Sequence, residues 1–171
     1  MENKLNFKVS LVGPSDSRKN DLIKRICLNQ SIHNPKPNYT TATFIEKNDL
    51  KDIILTIWDM PGSTRYKSLG PMYWNDSNSF IFLYNGETQS PDVLEEFYQL
   101  VKGSVQNQCY MIVAANIDYN RSKNVNNEEI KQWCNQKGLE HTEISTVTGG
   151  GINELLSKIA TECYEMSKSN T

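Results

Sequence analysis

No apolar run in these 171 residues is long enough to span a bilayer, and no basic run offers a footing for nucleic acid or an anionic membrane. An excess of one charge is missing too. The 18 Lys and Arg against 20 Asp and Glu leave a net charge of −2, which favours neither polyanion as the main partner. The opening Met1-Glu2-Asn3-Lys4 is not a signal peptide. Cysteine is scarce, and Cys27, Cys109, Cys134 and Cys163 show no Cys-x-x-Cys spacing, so they read as four reduced, mostly buried thiols. His33 and His141 stand far apart and make a zinc site an unlikely use of either. Internal repeats and linkers are also lacking, so residues 1–171 are read as one domain.

What is present is a regular alternation of elements. Lys8-Val9-Ser10-Leu11-Val12 reads as an apolar strand ending at Gly13. A helix is predicted from about Lys19 to Leu28, with Leu22, Ile23, Ile26 and Cys27 on one face. Residues 31–39 contain Pro35 and Pro37 and read as an exposed loop. Two strands, 41–47 and 53–58, are predicted to form a hairpin through a turn at 48–51. A loop after Asp59 leads to an irregular aromatic segment near Tyr73 and Trp74. Strands follow at 79–84, 109–115 and 142–146, and helices at 93–105, 127–137 and 152–167. Strands alternating with helices predict an α/β fold, a mostly parallel sheet covered on both faces.

Two short motifs carry chemistry. Gly13-Pro14-Ser15-Asp16-Ser17-Arg18-Lys19-Asn20 follows the first strand and opens the first helix. A phosphate-binding loop needs Gly, four residues, then Gly-Lys-Ser/Thr, so that backbone N–H groups curl around phosphates and the lysine reaches their oxygens. Gly13 and Lys19 fit; Arg18 and Asn20 depart from it. The second motif is Trp58-Asp59-Met60-Pro61-Gly62, where an aspartate closes a strand and a glycine follows. Its carboxylate suits a magnesium water shell.

The stretch from Trp58 through Ser63-Thr64-Arg65-Tyr66-Lys67-Ser68-Leu69, continued by Pro71-Met72-Tyr73-Trp74-Asn75-Asp76-Ser77, resembles the switch II segment of the Rab branch of small GTPases. The similarity extends at low identity from about Phe7 to about Met166. It implies a Ras-like P-loop G domain: a six-stranded, mostly parallel sheet with helices on both faces and one antiparallel hairpin strand. It also implies binding of GDP or GTP with Mg2+, and protein effectors or regulators at the two switch regions.

Position by position, the resemblance places Gly13, Ser15, Asp16, Ser17, Arg18, Lys19, Asn20 and Asp21 around the phosphates. Asp59 falls at the magnesium-shell aspartate, and Gly62 at the glycine that meets the γ-phosphate. Either Thr40 or Thr41 is the switch I threonine. Ala115-Asn116-Ile117-Asp118 lies where the family has Asn-Lys-x-Asp, which makes Asp118 the guanine reader, Asn116 the residue in the lysine place, and Ala115 a lost brace of the phosphate loop. Ser145-Thr146-Val147 stands for the Ser-Ala-Lys that backs the base. Phe44, Trp58 and Tyr73 fall near the aromatic effector triad of Rabs.

Departures from the family pattern bear on magnesium and on the attacking water. Asn20 replaces a hydroxyl ligand of magnesium, an ion that demands near-octahedral oxygens at about 2.0–2.1 Å, so Mg2+ is expected to be weakly held or absent. Asp16 puts a carboxylate near phosphate, a repulsion of roughly 3–4 kcal/mol at 4–5 Å and an effective dielectric of 20. Ser63 replaces the glutamine that orients water, so hydrolysis is expected to be very slow or absent. The expectation is a Rab-like switch favouring GDP over GTP, in the cytoplasm or at the cytosolic face of endomembranes, regulating vesicle traffic or signalling. The alternative is a nucleotide-independent pseudo-GTPase used as a docking module. A P-loop kinase or ATPase fits the motifs badly. With no Cys at Ser169-Asn170-Thr171, membrane attachment requires a lipidated tail beyond this sequence.

Overall fold

Apolar residues alternate along the strands in a way that feeds two cores at once. In the computed structural model, which describes residues 3–29, 41–49, 51–60, 69–88, 90–117 and 127–170, six strands form one sheet. They are β1 (Lys4–Val12), β2 (Thr41–Lys47), β3 (Asp52–Asp59), β4 (Ser79–Asn85), β5 (Tyr110–Asn116) and β6 (Glu140–Ile144). The helices are α1 (Lys19–Asn29), α2 (Gly70–Trp74), α3 (Asp92–Ser104), α4 (Glu128–Lys137) and α5 (Ile152–Ser169). In space the strands run β2-β3-β1-β4-β5-β6. All neighbours are parallel except β2 and β3. This is the sheet the alternation predicts.

The centre of the sheet shows why the fold is layered. Successive side chains of a strand point to opposite faces. Ile81 and Leu83 of β4 join Leu22 and Ile26 of α1 and Leu156 and Ile159 of α5 in one core. Phe80, Phe82 and Tyr84 of the same strand join Phe97 and Val101 of α3 and Ile130 and Trp133 of α4 in the other. A buried Leu, Ile or Phe contributes about 1.5–3 kcal/mol, so these clusters outweigh the exposed ion pairs, whose usual worth is about 0–1 kcal/mol. Across the second core, Trp133 Nε1 donates to Glu95 Oε2 at 2.5 Å and ties α4 to α3. Tyr84 Oη shares a 2.7 Å hydrogen bond with His141 Nε2. Burial holds His141 below its ordinary pKa, with Lys131 adding to the effect and Glu143 opposing it.

Most elements fall within one or two residues of their expected bounds, and three departures have a clear physical reason. β1 begins at Lys4 because its parallel pairing with β3 runs back to Lys4 and Asp52. β6 ends at Ile144, because Ser145 leaves the sheet and pairs through its N–H with Gly150 O at 2.9 Å. The segment near Tyr73 and Trp74 is a short helix, α2, not an irregular stretch. Its turn closes on itself: a Cβ on Gly70 would lie 2.1 Å from the Trp74 ring. Trp74 in turn meets Phe80 edge-on, with ring centroids 6.5 Å apart.

The end of α2 is fastened to β1. Lys8 Nζ donates to Tyr73 O and to Asp76 Oδ1, the latter at 2.5 Å. Ser10 Oγ and Ser77 Oγ share a buried 2.6 Å hydrogen bond. All four cysteines are free thiols. Burial pushes Cys134 up to about 11 and Cys163 up to about 12. Such thiols stay protonated and inert.

Candidate functional site

In a parallel sheet the carboxyl ends of the strands share one edge, and ligands bind there where the strand order reverses. Here β1 lies between β3 and β4, and its carboxyl end leads into the predicted phosphate loop. Gly13 turns that loop at φ 154°, where a Cβ would lie 2.0 Å from Leu83 O, so only glycine fits against β4. Ser15–Ser17 forms one 3-10 turn in which the Ser17 N–H and Oγ both donate to Pro14 O, at 3.1 and 2.6 Å. Arg18 then adopts the left-handed conformation, φ 63° and ψ 43°. This is the place of the second motif glycine, and a side chain there costs roughly 1–2 kcal/mol.

Lys19 starts α1 with its side chain buried. Its ammonium donates to Gly13 O at 2.8 Å and Pro14 O at 3.1 Å. Burial lowers its pKa, while the carboxylates of Asp59 and Asp16 support its charge. Asp59 closes β3, and burial pushes its carboxyl up to about 6 against the pull of Lys19. Together with Ser15, Arg18, Asn20, Asp21 and Met60 these residues line a cavity of about 300 Å³. The first-turn N–H groups of α1 lack partners within the helix, and its positive end favours an anion. Asp16, Asn20 and Asp21 are exposed at this rim. Exposure lets solvent screen the Asp16 carboxylate.

Asp59 Oδ1 is buried without a hydrogen-bond partner among the described residues. An orphaned acceptor at the phosphate end fits an outer-shell role toward Mg2+. From α1, Asn20 offers a carboxamide oxygen where the family offers a hydroxyl, and Thr41, half-buried at the start of β2, offers a second oxygen. Thr40, Gly62, Ser63 and Asp118 lie outside the described residues.

On the base side the structure corrects one reading. Asn116, not its predecessor, braces the phosphate loop: Nδ2 donates to Ser17 O at 3.3 Å and to Thr146 Oγ1 at 3.3 Å, and Oδ1 accepts the Thr146 N–H at 3.3 Å. Ala115 points into the core between sheet, α3 and α4 and has no polar group to contribute. The brace is therefore retained, and Asn116 does not stand in the lysine place. With Asn116 as the first residue of the four-residue pattern, that place falls to Ile117, and Asp118 stands two residues after the brace rather than three. Ser145 and Thr146 are buried and Val147 is exposed. Arg25 of α1, which the sequence reading passed over, donates from Nε to Thr146 O at 3.0 Å and from Nη2 to Val147 O. Its only sequence signal is a cation set between the buried Ile23 and Ile26.

The predicted partner surface is also corrected. Phe44 is 7% exposed and sits in the α1/α5 core opposite Leu55, its partner across β2 and β3. The next residue, Ile45, faces outward on the side of Trp58 and Tyr73, which are 42% and 53% exposed. Lys8 Nζ lies 5.6 Å from the Trp58 ring centroid, so the residue that fastens α2 also supports this face. Met72 and Leu69 are exposed on and beside α2.

The strand order and the β1–α1 loop define a Ras-type G domain. Residues 8–165 match the Ras family, and the chain belongs to it. Within that family its resemblance is to the Rab-like small GTPases. It is 29% identical over 168 residues to Ras-related protein Rab-21 of Homo sapiens, covering 95% of this chain and 74% of the relative. Against GTP-binding protein YPT52 of Saccharomyces cerevisiae the identity is 24%, covering 96% of this chain and 84% of the relative. A probable Rab-related GTPase of Acanthamoeba polyphaga mimivirus is 25% identical, with 97% and 80% covered.

Proposed function

We propose that this chain is a Rab-like regulatory protein that holds a guanine nucleotide, favours GDP over GTP, and turns GTP over slowly or not at all. The observation that carries this reading is that a buried Lys19 ammonium and the orphaned carboxylate oxygen of Asp59 line one cavity. Lys19 neutralises the β-phosphate when it leaves the Gly13 and Pro14 carbonyls. Asp59 would hold the Mg2+ ion through its water shell, and the ion would supply charge neutralisation at the phosphates. Asn20, lacking the hydroxyl, would hold that ion weakly, which would disfavour the triphosphate more than the diphosphate. Asp118 is the acid available to the edge of guanine, and Ser63 gives the attacking water no glutamine. Ile45, Trp58 and Tyr73 receive protein effectors or regulators of vesicle traffic, on the cytosolic face of endomembranes if a lipidated tail follows.

The test is nucleotide extraction from purified protein, with and without magnesium, followed by melting with GDP, GTP and ADP. Co-purified GDP and a larger rise in melting temperature with GDP than with GTP are expected. No guanine nucleotide and no stabilisation by either would overturn the proposal. The Lys8 fastening of α2 favours a second reading, a fixed docking platform. A large spectral or exchange difference between GDP and GTP-analogue forms around α2 would rule that reading out.

A further inference from the structure

Arg25 is six residues into the chain from Lys19 and reaches the opposite end of the nucleotide site. Its guanidinium takes two successive carbonyls, Thr146 O and Val147 O, in the loop that follows β6. A guanidinium offers several donors in a rigid planar fork, so it fixes both oxygens at once where an ammonium would hold a point.

A peptide unit is planar and trans, so the N–H of one residue points away from the carbonyl of the residue before it. Holding Thr146 O toward α1 therefore turns the Val147 N–H away from α1. The other donors of this loop are already engaged. The Thr146 N–H goes to Asn116 Oδ1, the Thr148 N–H to Ser145 Oγ at 3.1 Å, the Gly149 N–H to Ser145 O at 2.8 Å and the Gly150 N–H to Thr148 Oγ1 at 3.1 Å. The Val147 N–H has no partner among the described residues. Among the described residues, Val147 thus carries the one N–H of positions 145–150 that is not engaged.

We propose that Arg25 is a positioning residue for base selection: by clamping the Thr146 and Val147 carbonyls it aims the Val147 N–H at the exocyclic oxygen of a 6-oxopurine. This rests on the guanine-nucleotide reading above and names a residue that acts within it. A fixed N–H donor rewards guanine and hypoxanthine, which carry an acceptor at that position, and rejects adenine, which carries an amino group. Asn116 positions the same loop from the phosphate side, so the two residues hold it from opposite directions.

The test compares wild type, R25A and R25K for binding of GDP, inosine 5′-diphosphate and the 5′-diphosphate of 2-aminopurine riboside. Inosine diphosphate keeps the ring oxygen and lacks the 2-amino group; the 2-aminopurine compound does the reverse. R25A is expected to weaken GDP and inosine diphosphate alike by about tenfold, the size expected for losing hydrogen bonds from a charged group. Binding of the 2-aminopurine compound should be unchanged, and R25K should recover part of the loss. Amide exchange at residues 147–150 of the nucleotide-free protein should quicken in R25A. Equal weakening of all three ligands, or of none, overturns the proposal. Wild type that binds no GDP overturns the guanine reading itself, before any variant is compared.

Discussion

Arg18 is the residue most at odds with its backbone. It holds a left-handed conformation that glycine adopts freely. R18G is expected to raise stability by up to about 1 kcal/mol, because relief of the strain exceeds the added entropy of the unfolded glycine. Chemical denaturation of the two proteins checks this, and a loss of stability would refute it. Asp59 gives a pH signature at the same scale. Its folded pKa, about 6, lies above the unfolded value of 3.8. The carboxyl therefore contributes stability that is fully present below 3.8 and lost as pH rises through 6. D59N should melt higher than wild type at pH 7.5 when nucleotide-free, and the gap should close between pH 6 and pH 4. Comparing the two proteins cancels His141, whose depressed pKa makes its contribution run the other way, full above its ordinary value and lost on acidification. Single residues were also where the sequence misled. Ala115 and Asn116 could each be set at the start of the family pattern, and only the face of β5 decides between them. Alternation sends Ala115 into the core and leaves Asn116 at the strand end, beside the loop that needs an amide.

Elements were more legible than residues. β4 follows from its unbroken apolar run and α1 and α3 from their apolar periodicity, signals that burial dictates directly. The start of β1 was invisible, because Lys4 and Asn6 pair with β3 while carrying polar side chains. α2 was missed for a related reason: five residues are too few to show a helical period, and its cause is a contact at a distance of one turn. Gly70 lies under the Trp74 ring with no space for a methyl group. G70A should therefore cost about 1–3 kcal/mol by overpacking, far more than its helix propensity returns. Equilibrium unfolding monitors this; a neutral G70A would mean the Trp74 ring moves aside easily. K8M should spare the cores and release the end of α2 from β1 by removing the Lys8 bonds to Tyr73 O and Asp76, seen as faster amide exchange confined to residues 70–77.

The whole molecule divides its sheet between helix-covered and open ground. The outer face of β2 and β3 presents Ile45 and Trp58, with Tyr73 beside them, while most other large apolar residues among those described are covered. I45D and Y73A are each expected to change stability by less than about 0.5 kcal/mol, yet as bait to lose a protein partner that wild-type bait captures. Phe44→Ala, by contrast, should cost about 3–5 kcal/mol, because its ring is part of the core. That contrast, read by melting and pull-down together, separates the corrected surface from the expected one. Overall architecture was the most legible level, since strand–helix alternation leaves few ways to wind a parallel sheet.

The three tryptophans occupy three different situations: Trp58 on the open face, Trp74 sealed against Gly70, and Trp133 tied to Glu95 in the far core. The protein therefore carries its own optical reporters. Acrylamide should quench Trp58 first, a docked partner should shield it and shift its emission to the blue, and movement of α2 should register at Trp74 while Trp133 serves as the unchanging reference.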